Sequence, residues 1–230
     1  GTRGVISYEE KTPLKDLTLD NLFIDIGAKN AEEARKLVQI GDFAVYEAPR
    51  FEQNGVLCGP YLDNRIGCVT LLLMMEQLAD KEIENDLYFV FTAQEEVGLR
   101  GAGAAAFAVE PDAAIAVDVT DTGDLPEMKS AMAVELGKGP AVKVMDRSVI
   151  CTPAVVDALE QAAKDCGVSA QREILLCGGT DTSALQKARA GVQAGAVSIP
   201  TRYIHSPSEL CAVSDVEDAA KLLAQYALRK

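Results

Sequence analysis

From about residue 55 onward, the apolar positions of this 230-residue chain shift repeatedly between long helical blocks and short strand-like ones. A long apolar block from Arg65 to Ala79 predicts a helix, Leu87 to Thr92 a strand, Leu99 to Ala108 an Ala-rich helix and Ala113 to Val117 a second strand. The alternation continues with a strand at Ala141 to Val144, a helix from Pro153 to Cys166 with proline in its first turn, and a strand at Glu173 to Leu176. Last come a helix from Thr182 to Ala188, a strand from Gly195 to Ile199 and a helix from Val216 to Leu228 opened by Ser214-Asp215. Such alternation predicts an α/β protein built on a layered sheet. The first 50 or so residues read differently. Short apolar segments at Leu22 to Ile26 and Phe43 to Tyr46 are broken by Gly27, Gly41, Asp42 and Pro49, with one helical run from Ala31 to Val38. We therefore expect a small strand-rich module over residues 1–54 and a larger domain over 55–230, parted in the turn-rich stretch Pro49 to Pro60.

Composition narrows the function classes. A net charge of −13, with no run of Lys or Arg, argues against nucleic acid or an anionic membrane surface as partner. The apolar run from Ile66 to Met75 is too short to cross a bilayer, and no signal-peptide pattern opens the sequence, so a cytoplasmic protein is expected. Six cysteines without a C-x-x-C pair suit reduced, mostly buried thiols better than a disulfide frame.

The candidate chemistry lies where strands end, because in open α/β sheets that edge forms the binding crevice. Glu95 and Glu96 follow the strand at Leu87 to Thr92 and are adjacent. Burying one carboxylate costs several kcal/mol unless donors or a cation compensate, and a like-charged neighbour raises its pKa, so a metal ion is the natural third party. Asp63 stands at the start of the long helix, Asp118 ends the next strand, and His205, the one histidine of the chain, follows a third. Singly, Asp63 reads as a helix cap, Asp118 as a turn carboxylate and His205 as a packing residue. Together they form a donor set for divalent ions. No G-x-S-x-G elbow supports a nucleophilic triad. The segment Gly178-Gly179-Thr180-Asp181 follows a strand and opens a helix. Its amides are candidates for holding a substrate carbonyl or carboxylate, against the plainer reading of a tight turn capped by Thr180 or Asp181. Arg202 is either a site for an acidic side chain or a structural ion-pair partner.

Taken in order, these segments resemble the M42 family of metallo-aminopeptidases, which includes glutamyl aminopeptidases and TET peptidases. The resemblance runs through Asp25-Ile26-Gly27-Ala28, Leu62 to Cys68, Phe91 to Ala102, Asp118-Val119-Thr120, Gly137-Lys138-Gly139-Pro140, Gly178 to Asp181 and Ile199 to Pro207. It implies a three-layer α/β/α zinc-exopeptidase-like domain with a mixed sheet, an N-terminal module that serves assembly, and dimers that build into dodecamers. It also implies two divalent metal ions, zinc or cobalt, bridged by Asp63. Glu96 and His205 would hold one ion and Asp118 the other, with Glu95 as general base, peptides as substrates, and a cis peptide at Asp63-Asn64. The family takes a further ligand from an upstream His-x-Asp motif that these 230 residues do not contain. The resemblance thus implies a chain lacking the family's N-terminal segment, with one metal site impaired and weak activity on its own. The alternatives are a non-catalytic structural or peptide-binding remnant and a glucanase-type hydrolase; for the latter the chain offers no Trp and only 5% aromatic residues to stack on sugars.

Overall fold

The computed structural model describes residues 1–9, 13–126 and 132–229, and they form two compact units, Gly1–Tyr46 and Glu47–Lys230. In the first unit, strands β1 (Val5–Tyr8) and β2 (Leu22–Asp25) pair antiparallel, and helix α1 (Ala31–Leu37) follows. Asn30 caps α1 by accepting from the amides of Glu32 and Glu33, each at 3.0 Å. None of its described residues is buried.

The second unit carries the sheet. Strands β3 (Phe51–Gln53) and β4 (Val56–Gly59) form a hairpin in the stretch expected to be a boundary, so the units part at Tyr46 and Glu47 instead. Its two-residue loop is Asn54-Gly55, with φ of 54° and 75°, as a type I′ turn requires. After helix α2 (Leu62–Leu78), the segment Leu87 to Thr92 belongs to no recorded ladder, contrary to expectation. It still alternates like a strand: Leu87 and Phe89 pack on the core while Tyr88 and Val90 are exposed. The side-chain period is that of a strand, but a strand also needs a partner for its backbone, and none among the described residues pairs with it. Helix α3 (Arg100–Val109) leads into β5 (Ala113–Thr120), followed by β6 (Ala141–Met145), helix α4 (Pro153–Asp165), β7 (Gln171–Ile174) and the five-residue helix α5 (Thr182–Gln186). The long strand β8 (Gln193–Arg202), β9 (Glu209–Ala212) and helix α6 (Val213–Ala227) complete the chain.

The sheet is mixed and centred on β8. Strand β5 runs parallel to it from Ala113–Gln193 to Thr120–Pro200, whereas β6 and then β9 lie antiparallel along its other edge. Helices α2, α4 and α6 cover one face. In α4 the buried residues Val155, Val156, Leu159, Ala162 and Ala163 recur at helical spacing, and burial of each larger one stabilises the fold by about 1.5–3 kcal/mol. Helices α3 and α5 pack against each other on the opposite side, where Ala106, Leu185, Ala188 and Ala114 form a smaller cluster. Three layers result, as expected. Because side chains alternate along β5, Ile115, Val117 and Val119 face the large core, and Asp118 shares the face of Ala114 instead. Of the cysteines, Cys58, Cys151 and Cys211 are buried, Cys68 and Cys177 are exposed, and all six are free.

Candidate metal centre

Asp63 does not cap α2. It sits with Asn64 in a non-helical step inside the first turn, at φ −73° and ψ 111°, and the peptide between them is cis, as the resemblance implied. Asn64 does the capping: its Oδ1 accepts from the Gly67 amide at 3.0 Å while its Nδ2 donates to the Val117 carbonyl at 2.7 Å. This ties the helix start to β5. Only glycine fits at 67, since a Cβ there would lie 2.2 Å from Asn64 Oδ1 and 2.9 Å from the Val117 oxygen. The step leaves the Asp63 carboxylate free to turn toward the ends of the strands.

There it meets two other segments. His205 Nε2 lies 3.0 Å from Asp63 Oδ2 and 3.3 Å from Glu96 Oε2, and ligand atoms of the three residues all fall within 4.8 Å of one another. Glu95 and Asp118 stand close enough to Asp63 and Asp181 for those acids to raise their pKa values. Burial, then Glu96, pushes the Asp63 carboxyl up to about 6, with His205 pulling the other way. Burial and then Glu96, Asp181 and Asp63 push Glu95 up to about 7. Burial above all raises Asp118 well beyond the usual carboxylate range, although its Oδ1 accepts from the Val119 amide at 2.9 Å. These acids outnumber the one imidazole, and oxygen and nitrogen donors at this spacing suit a divalent ion with three protein ligands and an open position. The donor set fits the metal.

Two further acids lie at the site: Asp181, expected at most as a cap, and Glu209, for which the sequence offers no signal. The Asp181 side chain makes no cap bond to α5; its Oδ2 accepts from the Thr92 hydroxyl at 2.7 Å, its buried Oδ1 has no hydrogen-bond partner among the described residues, and burial raises its pKa. Glu209, 2% exposed, accepts from the Asp63 amide at 3.0 Å with one oxygen and from the His205 amide at 2.9 Å with the other. Backbone strain collects here too. Of the eight non-glycine residues recorded at positive φ, Tyr61, Gln94, Leu99, Tyr203 and His205 flank or form this cluster, and such a conformation costs roughly 1–2 kcal/mol per residue.

The expected substrate residues are less exposed to a ligand than their sequence suggested. Thr180 is buried, its hydroxyl 2.8 Å from that of Thr182 and 3.5 Å from Asp146 Oδ2, whereas Gly178 and Gly179 are exposed in the turn before Asp181. Arg202 is engaged by Asp124, with Nε 3.3 Å from Oδ1 and Nη2 2.7 Å from Oδ2. Burial pushes the Asp124 carboxyl up, but these hydrogen bonds outweigh it and hold the group at about 2.

Fold and site together describe an α/β protein with an acid and histidine cage at the strand ends, and sequence comparison narrows that class. The profile of the M42 glutamyl aminopeptidase family matches residues 3–222, and the chain belongs to that family. A protein of Acetivibrio thermocellus described as a putative aminopeptidase is 48% identical over 98% of this chain and 68% of its own length. Among solved structures, an aminopeptidase of Desulfurococcus kamchatkensis superposes with a TM-score of 0.93 at 36% identity, over 98% of this chain and 64% of that one. A TET1 peptidase of Pyrococcus horikoshii, described as assembling into a tetrahedron or a large octahedral shell, matches with a TM-score of 0.83 at 34% identity, over 96% and 64% of the two chains. The chain thus spans about two thirds of the length of the proteins it matches.

Proposed function

We propose that this chain carries the metal-binding and proton-transferring part of an aminopeptidase that removes N-terminal residues from peptides. The convergence of Asp63, Glu96 and His205 within 4.8 Å supports this most strongly. In this reading Asp63 would be shared by two divalent ions, zinc or cobalt, with Glu96 and His205 holding the first and Asp118 the second. When bound, such an ion pair acidifies a shared water and polarises the scissile carbonyl. Glu95 moves the proton. Adjacent to Glu96 and half-buried among the other acids, it stands close enough to accept a proton and return it to the departing amine. The surrounding acids attract the cationic amine of a peptide N-terminus. The exposed turn at Gly178 and Gly179, held by buried Thr180, is assigned to the substrate backbone, and Arg202 to an acidic side chain only where it can be shared with Asp124.

The second ion has fewer ligands. With the one histidine committed to the first position, only Asp118 and the shared Asp63 serve it, so we assign it weak binding and the 230-residue chain slow turnover on its own. Exposed apolar residues in the first unit, among them Ile40, Phe43 and Val45, support self-association of the kind described for the TET1 peptidase. Six free cysteines fit a reducing, cytoplasmic setting.

The test is hydrolysis of aminoacyl p-nitroanilides with added Zn²⁺ or Co²⁺. Glu95→Gln should lower the rate by about 10²–10⁴-fold and leave metal stoichiometry unchanged. Hydrolysis that survives chelation, or a Glu95→Gln variant as fast as the wild type, would refute the reading.

A further inference from the structure

We infer that Glu209 is a positioning residue that sets the distance between Asp63 and His205, and through it the affinity of the metal site; the inference rests on the metal reading above. Asp63 and His205 come from segments 142 positions apart, and each reaches the site from an irregular backbone: Asp63 from the non-helical step at the start of α2, His205 from a residue at φ 62°. Neither conformation is held by a regular ladder or helix bond at that point. Both amides instead donate to the two oxygens of one buried carboxylate, at 3.0 and 2.9 Å. Glu209 is itself fixed, because it opens β9 and pairs with Gly59 of β4, just upstream of Asp63.

The geometry gives the carboxylate a bracket's role. A single atom pair would orient one ligand; two oxygens of one rigid group fix both ligands relative to each other. Glutamine cannot substitute, because it offers one acceptor oxygen and would turn its own N–H group toward the second amide. Aspartate keeps the charge and both oxygens but is one methylene shorter, so it cannot reach both amides without moving one of them. Residues that orient metal ligands typically change affinity by about 10–100-fold when altered, and we expect a loss of that size here.

The experiment is calorimetric titration of the full chain with Co²⁺, followed also by the visible absorption of the bound ion, for wild type, Glu209→Gln and Glu209→Asp. Each is measured well below its own metal-free melting temperature, so that a merely less stable but correctly folded protein would bind as the wild type does. Co²⁺ affinity about 10–100-fold weaker, with an altered absorption band, in either variant supports the inference. The aspartate variant carries the test if the glutamine variant does not fold. Wild-type affinity and spectrum in a folded variant would overturn it while leaving the metal reading intact. No Co²⁺ binding by the wild type would overturn both.

Discussion

Around Glu173 and around Asp118 carboxylates are withdrawn from water on the same sheet, but among the described residues the first group meets a buried lysine and the second only the exposed imidazole of His205. Lys143 on β6 and Glu173 on β7 are cross-strand neighbours, both wholly buried; Lys143 Nζ contacts Glu173 Oε1 and lies 3.7 Å from Asp146 Oδ2. The Thr120 hydroxyl donates to Glu173 at 2.9 Å, and Asp146 Oδ1 accepts from the amides of Ser148 and Val149 at 2.7 and 3.0 Å. At the strand ends, by contrast, Asp63, Glu95, Asp118 and Asp181 all have raised pKa values, with burial as the leading cause. Lys143 thus offsets buried carboxylates from within the chain, whereas the acids at the strand ends are the ones we assign to a ligand.

Removing the internal cation should therefore have the largest effect. Lys143→Met strands Glu173 in the core and should cost about 3–5 kcal/mol. At about 2–4 °C per kcal/mol for a protein of this size, that lowers the melting temperature by roughly 6–20 °C in scanning calorimetry. His205→Ala, on an exposed residue, should lower it by less than about 2 °C. Equal losses in the two variants would erase the distinction between the clusters. Asp118→Asn should act in the opposite direction. It removes an unmatched buried charge but keeps an acceptor for the Val119 amide, and should raise the metal-free melting temperature by about 2–4 °C, on the order of 1 kcal/mol.

A smaller effect should appear with pH. Asp63 and Glu95 have folded-state pKa values raised from 3.8 to about 6 and from 4.5 to about 7, so the metal-free folded chain holds protons that the unfolded chain releases. Their contribution to stability is complete below the unfolded values, falls as pH rises between them and the folded ones, and is lost above about 7. Metal-free melting temperatures measured from pH 4 to 8 should show this decline, and Glu95→Gln should flatten part of it. A wild-type profile that rises over this range with the same slope in the variant would contradict the assignment.

Much of the sheet could be read from the sequence because its signals are local. The β5 strand announces itself by an apolar run ending in Asp118, and α4 by its proline and helical spacing. The hairpin of β3 and β4 also carries a local signal, Asn54-Gly55, but its prolines and glycines make the stretch look like a turn-rich domain boundary. Asp63, Glu96 and His205 drew notice only as a set, because they stand where strands end or a helix begins, at the edge where an α/β sheet forms its crevice. Glu209 did not stand out. Its partners are backbone amides, one of them 146 positions away, and an amide leaves no trace in residue identity. Asp215 was read as a helix opener for the same reason. It accepts from the amides of Gly137 and Gly139 at 2.7 and 2.9 Å and fastens a distant turn.

The central claim is that Asp63, Glu96 and His205 form a cage for a divalent ion. The most direct measurement is equilibrium dialysis of the chain against Zn²⁺, beside the His205→Ala variant. The wild type should retain at least one ion per chain and the variant should retain little at the same free zinc concentration. A wild type that holds no zinc, or a folded His205→Ala protein that holds as much, would contradict it.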